Sequence, residues 1–493
     1  MTPGLLLWIL LLLPVAGALA CLACRSARGV VRVLPVGVAA GAAAAAACVR
    51  TIHGGAALSG ANGWLFLDAL SAYHLAVMMA VFLLSSVYAR GYFRDEVASG
   101  GLTLENARRF GALWFGALAA MTLVLVSNNI GIMWVSIEAT TLATAFLISA
   151  HRSPASIEAM WKYLVICSVG VAFAFMGTLL IGAAAKGLEL PASQALLWTQ
   201  LARDAARLNP SLAKVGFLFL LVGYGTKAGL APMHSWLPDA HSQAPAPVSA
   251  LFSGFMLNAA LYCIMRYLPL IEACTGHAGW SLGLLRFFGL ASILVAAAFI
   301  IFQRDLKRLL AYCSVEHLGI IAVGLGLGGL GIFAALLHTL NHSLCKSLSF
   351  FAAGRLGQMY GTHDMPRMAG SLRAAPVWGK AMAGSLLALI GMAPFALFMS
   401  EFLILRAAAR GGSWWTMGLF LAGAGIIFMG MLKHAIDLAW GQPVMTPKPE
   451  QADAVEKAVA LVPLAALLLL GVWIPGYLRE MIEAAAAIVK GGP

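Results

Sequence analysis

Residues 215–267 read VGFLFLLVGYGTKAGLAPMHSWLPDAHSQAPAPVSALFSGFMLNAALYCIMRY. An apolar run of about ten residues leads to Lys227. The segment then breaks at Gly229 and Pro232, carries a polar string, and resumes as a second apolar run. An ionisable side chain in hydrocarbon costs at least ~2.5–3.5 kcal/mol. A broken backbone at that depth is tolerated only against other protein or water. Together the two features indicate an ion path, because broken helices at mid-membrane build the binding sites of many transporters.

The rest of the chain fits that reading. Hydrophobic residues make up 61% and charged residues 11%, against about 25% charged in soluble domains. Fourteen apolar runs, each long enough to cross a bilayer, recur from 4–24 to 456–477. The expected fold is an all-α membrane protein of about 14 transmembrane helices, divided as 1–107 (spans 1–3), 108–270 (spans 4–8), 281–437 (spans 9–13) and 438–493 (a connection and span 14). The seventh span breaks around Gly229 and Pro232, the twelfth around Gly391–Phe395. Each is the fourth span of a block of five, and an odd block length gives two repeats of inverted topology.

The net charge of +12 points to membrane topology, not to nucleic acid. Odd-numbered connections hold 19 Lys/Arg and the termini with even-numbered connections hold 11, while Lys227 and Lys346 sit inside spans. The positive-inside rule then makes odd connections cytoplasmic and puts both termini outside, in a multi-pass protein of the cell inner membrane. The N-terminal run lacks the basic leader of a signal peptide and reads as an uncleaved span. Cys21 and Cys24 form a CxxC inside it, but the eight cysteines have no zinc or cluster spacing. The connection near 185–212 has helical periodicity with charges on one side, which suits either a helix lying along the interface or an ordinary surface loop.

The ionisable residues inside spans are the candidate site. Glu138 stands in an otherwise uncharged fifth span, as a charge partner for a buried lysine or as a protonated structural carboxyl. The end of the half-helix at Lys227 is expected to expose unpaired carbonyls that favour a cation. His234, Asp239 and His241 occupy the break and would connect Lys227 to water on one side. In the eleventh span His338, His342 and Lys346 are spaced i, i+4, i+8 and share one helix face, a ladder roughly 12 Å long. Histidine titrates near neutral pH, so the ladder suits a proton wire. Metal binding by His338 and His342 is a rival reading, but no carboxylate or third ligand is near them in sequence, and no metal is assigned. Glu316 and His317 extend the polar line on the tenth span. Glu401 follows the second break as a terminal proton site, or as a salt-bridge partner of Arg406.

Energetics constrain any such relay. Moving one charge against about 150 mV costs ~3.5 kcal/mol. Drawing a carboxylate from about 4 to about 7 Å from a lysine weakens their attraction only from ~4 to ~2.4 kcal/mol at an effective dielectric of 20. A small shift of Glu138 relative to Lys227 is insufficient, so switching requires near-complete separation, a change of hydration, or several linked pairs.

Four segments carry a resemblance: KAGLAPMHSWLPDAHSQAPAPVSALFSG, QRDLKRLLAYCSVEHLGII, LLHTLNHSLCKSLSFFAAG and GMAPFALFMSEF. They resemble the antiporter-like subunits shared by respiratory complex I, Mrp-type sodium/proton antiporters and membrane-bound nickel–iron hydrogenases. The resemblance runs from about the third span onward. It implies fourteen helices in two inverted five-helix repeats with helices 7 and 12 broken. It also implies that Glu138 is the fifth-helix glutamate, Lys227 the seventh-helix lysine, Lys346 the eleventh-helix lysine and Glu401 the twelfth-helix acid of the exit half-channel. Many members carry an eighth-helix lysine where this chain has Asn258, so His317 or water at Asn258 would have to join the half-channels. The SVEHLG stretch, the modest length and the lack of a long C-terminal lateral helix are most similar to the F component of hydrogenase-4.

On this resemblance the chain is expected to be a proton-translocating membrane subunit of a multisubunit redox complex of the hydrogenase-4 or formate hydrogenlyase kind. A complex I subunit, a Na⁺(K⁺)/H⁺ antiporter subunit of Mrp type, a coupling subunit for inorganic-carbon uptake and a structural scaffold are the other readings. No haem, cluster or nucleotide motif is present, so no cofactor is expected here. The expected partners are related membrane subunits and a peripheral arm carrying nickel–iron and iron–sulfur centres.

Overall fold

The computed structural model describes residues 3–53 and 57–491. Eleven single helices are long and apolar enough to cross a membrane. They are the first to sixth spans, Pro3–Ala23, Ala27–His53, Ala69–Tyr92, Leu104–Val126, Ile130–Ile148 and Pro154–Ala184, the eighth within Ala246–Cys274, the ninth and tenth, Trp280–Ile300 and Leu306–Leu327, and the thirteenth and fourteenth, Trp414–Trp440 and Ala454–Val472. Three further crossings complete the expected fourteen. The eleventh, Gly329–Tyr360, is long but made polar by its ladder. The seventh is split into Pro210–Ala228 and Trp236–Gln243, and the twelfth into Trp378–Leu389 and Ala396–Arg410.

The two breaks have one design. Both read Gly-x-Ala-Pro, at 229–232 and 391–394. Gly229 (φ 79°) and Gly391 (φ 67°) are left-handed, where a side chain would be strained, and both Ala–Pro bonds are cis. Short polar residues start the spans. Asn129 caps the fifth through the amides of Gly131 and Ile132, Ser153 closes a capping box on the sixth, and Asn209 precedes Pro210 on the seventh. The eighth and tenth spans are buried along their lengths, whereas the first, second, thirteenth and fourteenth turn most of their apolar side chains outward to lipid.

Among the described residues, the connections that pair do so with connections of their own parity. Residues of the loops after spans 2, 4 and 6 pair as Leu65 with Ser127 and Asn129 with Leu197, and the Trp198 indole donates to Arg266 O at the end of span 8. On the other face Asp305 pairs with Asp364, Glu96 meets His151, and Arg94 meets Asp453. The described first span begins on the even face, where Gly4 packs on Gly60, and the described segment after the fourteenth span starts there too, where His53 meets Glu480. This is the pattern fourteen crossings require.

Two elements refine the expectation. The connection near 185–212 is not one interfacial helix; it holds three short turns, the longest Trp198–Arg203, because Asn128 draws the backbone amides of Trp198 and Thr199 across to the fourth–fifth connection. Beyond the fourteenth span a further helix, Gly476–Val489, buries Ile482, Ala485, Ala486 and Val489 against the third span. A hairpin, Leu58–Gly60 with Leu65–Leu67, is the one sheet among the described residues.

Candidate functional site

In the first half, Lys227 is wholly buried. Its ammonium donates to Thr141 Oγ1 at 2.9 Å and Tyr163 Oη at 2.5 Å, and lies 4.6 Å from the Tyr163 ring centroid. The Tyr163 hydroxyl is in turn 2.7 Å from Thr144 Oγ1. Glu138 is not a direct partner of the lysine. Its Oε1 accepts from Ser168 Oγ at 2.9 Å, and it acts on Lys227 only through the longer-range field. Two of the carbonyls expected to be bare at the end of the half-helix are filled. Gly225 O accepts from Leu230 N, and Thr226 O from Gly229 N and the Trp236 indole. The lysine therefore points back to hydroxyls on spans five and six instead of capping its own helix.

The break divides into a buried and an outer part. Ala231 N donates to Ser292 Oγ on the ninth span at 2.9 Å. His241 is buried, and its Nδ1 donates to Leu237 O at 2.9 Å. A carbonyl only accepts, so Nε2 is left as the free acceptor, without a protein partner. His234 is half-buried with its ring 6.3 Å from that of Tyr312. Asp239 is an ion-pair node: it accepts from Lys162 at 3.1 Å and from Arg308, tying spans six, seven and ten together.

The second half holds a continuous line. His317 Nδ1 is 3.0 Å from His338 Nε2, and His338 Nδ1 is 2.9 Å from Ser400 Oγ. Asn341 steadies this end by donating to Ala396 O at 2.8 Å. The His342 ring is 5.3 Å from that of His317, and neither of its nitrogens has a protein partner. Lys346 donates to Leu310 O at 2.5 Å. Glu316 is buried with Oε2 unpartnered, in the fields of both Lys346 and Glu401. Glu401 is half-buried beside His317 and His338, with ligand-capable atoms of the three residues all within 4.8 Å of one another. Thus the carboxylate that is absent near His338 in sequence is supplied by packing.

Between the halves lies Asn258. Its Nδ2 donates at 3.1 Å to Gly254 O and to Ser343 Oγ, one residue from His342, and its Oδ1 has no protein partner. The helix is widened into a π turn over Phe252–Met256 just before it, a feature often found at functional sites. Buried polar atoms nearly always bond protein or ordered water. The orphaned atoms of His241, His342 and Asn258 are places where ordered water would bond.

One network was missed by sequence reasoning. Arg266 and Asp68 form a buried bidentate pair at 2.6 and 2.7 Å, with Tyr262 and Ser71 completing it. The two residues are 198 positions apart in sequence, and no local pattern signals that they meet. Lys307, likewise read as an anchor, is buried and caps the seventh span through Ser242 O at 2.9 Å and Ala244 O.

Residues 127–427 match the family described as NADH:quinone oxidoreductase/Mrp antiporter, TM. This chain belongs to that family. A hydrogenase-4 component F homolog of Methylacidiphilum infernorum is 41% identical over 348 residues, 70% of this chain and 73% of the relative. Hydrogenase-4 component B of Escherichia coli is 32% identical over 349 residues, 68% of this chain and 50% of that longer protein. The structure of the membrane-bound sulfane sulfur reductase, an archaeal respiratory membrane complex, has a chain of the same fold, with TM-score 0.85, 23% identity and 98% and 97% coverage. A chain of the Mrp complex from Dietzia has TM-score 0.85 at 20% identity, covering 99% and 97%. The protein is thus a multi-pass, antiporter-like membrane subunit of the complex I/Mrp/hydrogenase-4 family.

Proposed function

We propose that this antiporter-like subunit moves protons through a hydrated relay, coupled to electron transfer in partner subunits of a hydrogenase-4-type complex. One observation carries the reading: the unbroken His317–His338–Ser400 line, with Lys346, Glu316 and Glu401 around it, held in the interior of a lipid-surrounded fold. Histidine between an acceptor and a donor can take a proton on one nitrogen and release it from the other. Lys227, held by hydroxyls, is the charge of the first half, and Lys346 that of the second. The names of the relatives, hydrogenase-4 components F and B, favour a hydrogenase-type assembly. In this reading the chain holds no redox centre, its neighbours are related membrane subunits, and a peripheral arm supplies nickel–iron and iron–sulfur chemistry. It lies in the inner membrane with both termini outside the cytoplasm.

The test is donor-driven proton uptake by proteoliposomes of the whole complex. Lys227→Ala should abolish pumping at unchanged subunit composition, and pumping at the wild-type rate removes Lys227 from the relay. Sodium- or potassium-dependent proton flux without an electron donor would instead establish the antiporter reading.

A further inference from the structure

Two imidazoles and a carboxylate converge where the sequence offered only a helical ladder. His317 comes from the tenth span, His338 from the eleventh and Glu401 from beyond the second break. We propose that these three residues bind a divalent transition-metal ion, Zn²⁺ in the first place, and that its occupancy closes the second half of the relay.

The donor set fits that ion. Zinc takes imidazole nitrogen at ~2.0–2.1 Å and carboxylate oxygen at ~2.0–2.2 Å, usually in tetrahedral geometry. Two nitrogens on one tetrahedral zinc then stand ~3.3 Å apart. His317 Nδ1 and His338 Nε2 are already 3.0 Å apart, so chelation needs a few tenths of an ångström of separation and a turn of the two rings from each other toward a common ion. A Glu401 carboxylate oxygen lies within 4.8 Å of a ring nitrogen of each histidine, and Glu401 has three rotatable bonds with which to close that distance. His338 is oriented as zinc-bound histidines are, its other nitrogen bonded to a fixed partner, Ser400 Oγ at 2.9 Å. Glu316, buried one residue before His317 with an unpartnered Oε2, offers a balancing charge. Two carboxylates neutralise a divalent cation, which removes most of the penalty of placing it in a dry interior. Imidazole and carboxylate ligands exclude the soft Cu(I) preference and suit zinc, cobalt and nickel.

Closure follows from the same atoms. Of His317 Nδ1 and His338 Nε2 one carries the proton of their hydrogen bond; metal binding displaces it, to the unpartnered His317 Nε2 or to solvent, and both nitrogens a passing proton needs are then held by the ion. This second clause rests on the proposed relay; the binding clause does not.

The test uses the full chain in detergent, titrated with Co²⁺ and back-titrated with Zn²⁺. Tetrahedral Co²⁺ absorption displaced by one equivalent of Zn²⁺ is expected, with zinc-edge spectra showing two imidazoles and an oxygen. His338→Gln and Glu401→Gln should each weaken binding about tenfold or more, and Glu401→Asp less. Size-exclusion profiles and the unaltered melting of each variant separate ligand loss from misfolding. Equal affinity in both Gln variants, or spectra of exposed ligands only, overturns the site. In the whole complex, Zn²⁺ should stop donor-driven pumping at the concentration that fills the site. Pumping that continues at full occupancy overturns the closure. A complex that pumps neither with nor without zinc counts against the proposed function, while the binding titration still decides the site.

Discussion

Tyr163 shows how one hydroxyl decides the state of a buried charge. It and Thr141 are the direct partners of Lys227, and a hydrogen bond to a charged group is worth about 1.5–3 kcal/mol. Tyr163→Phe should therefore slow pumping about tenfold or more with little change in melting temperature, and a wild-type rate would show that the hydroxyl is a bystander. Asp68 is the opposite case, structural with no place in the relay. Asp68→Ala leaves Arg266 buried and unpaired, which costs about 3–5 kcal/mol. The expected outcome is a large loss of folded yield in detergent, and a variant melting with the wild type would contradict it. Lys227, Lys346 and Glu401 stand out in sequence because charge is rare in apolar runs. Their true neighbours do not, since Tyr163 and Thr141 are ordinary membrane residues until packing brings them to an ammonium.

At the scale of elements, the broken spans were legible because glycine and proline state their backbone needs locally. The Gly-x-Ala-Pro pair also reveals the repeat. Contacts between spans were not legible. The Glu401–His317–His338 cluster joins three elements separated by up to 84 positions, and only tertiary packing brings them together. The same limit left helix and loop open for 185–212, where Asn128 overrides helical periodicity and decides for the loop. Lys307 gives a test at this scale. It closes the seventh span by donating to the carbonyls of Ser242 and Ala244. Lys307→Met should raise amide exchange in Trp236–Gln243 selectively, whereas unchanged protection there would deny it a capping role.

For the whole molecule, acid sensitivity is set partly outside the spans. Burial, with the Lys307 ammonium beside it, holds His363 in the eleventh–twelfth connection down to about 3. An unfolded histidine titrates near ~6.5. Above that pH neither state binds the proton and the stability is fully present. Below it the unfolded chain binds one more proton, so stability falls as pH drops toward the folded value, by up to ~1.4 kcal/mol per pH unit. His363→Gln should flatten the acid side of a melting-temperature profile by about that slope, and an unchanged slope would assign the sensitivity elsewhere.

The stitched connections have a mechanical consequence. Carriers that expose a site alternately to each side rock one bundle against another, which demands loops free to slide. Here backbone pairs knit the even face from residue 58 to residue 197, and on the odd face Asp305 pairs with Asp364 while ion bridges join Glu96 to His151 and Arg94 to Asp453. Such a frame resists hinging, so gating falls to rotamers and to the wetting and drying of narrow gaps. The device is then closer to a set of valves in a rigid block than to a rocking door.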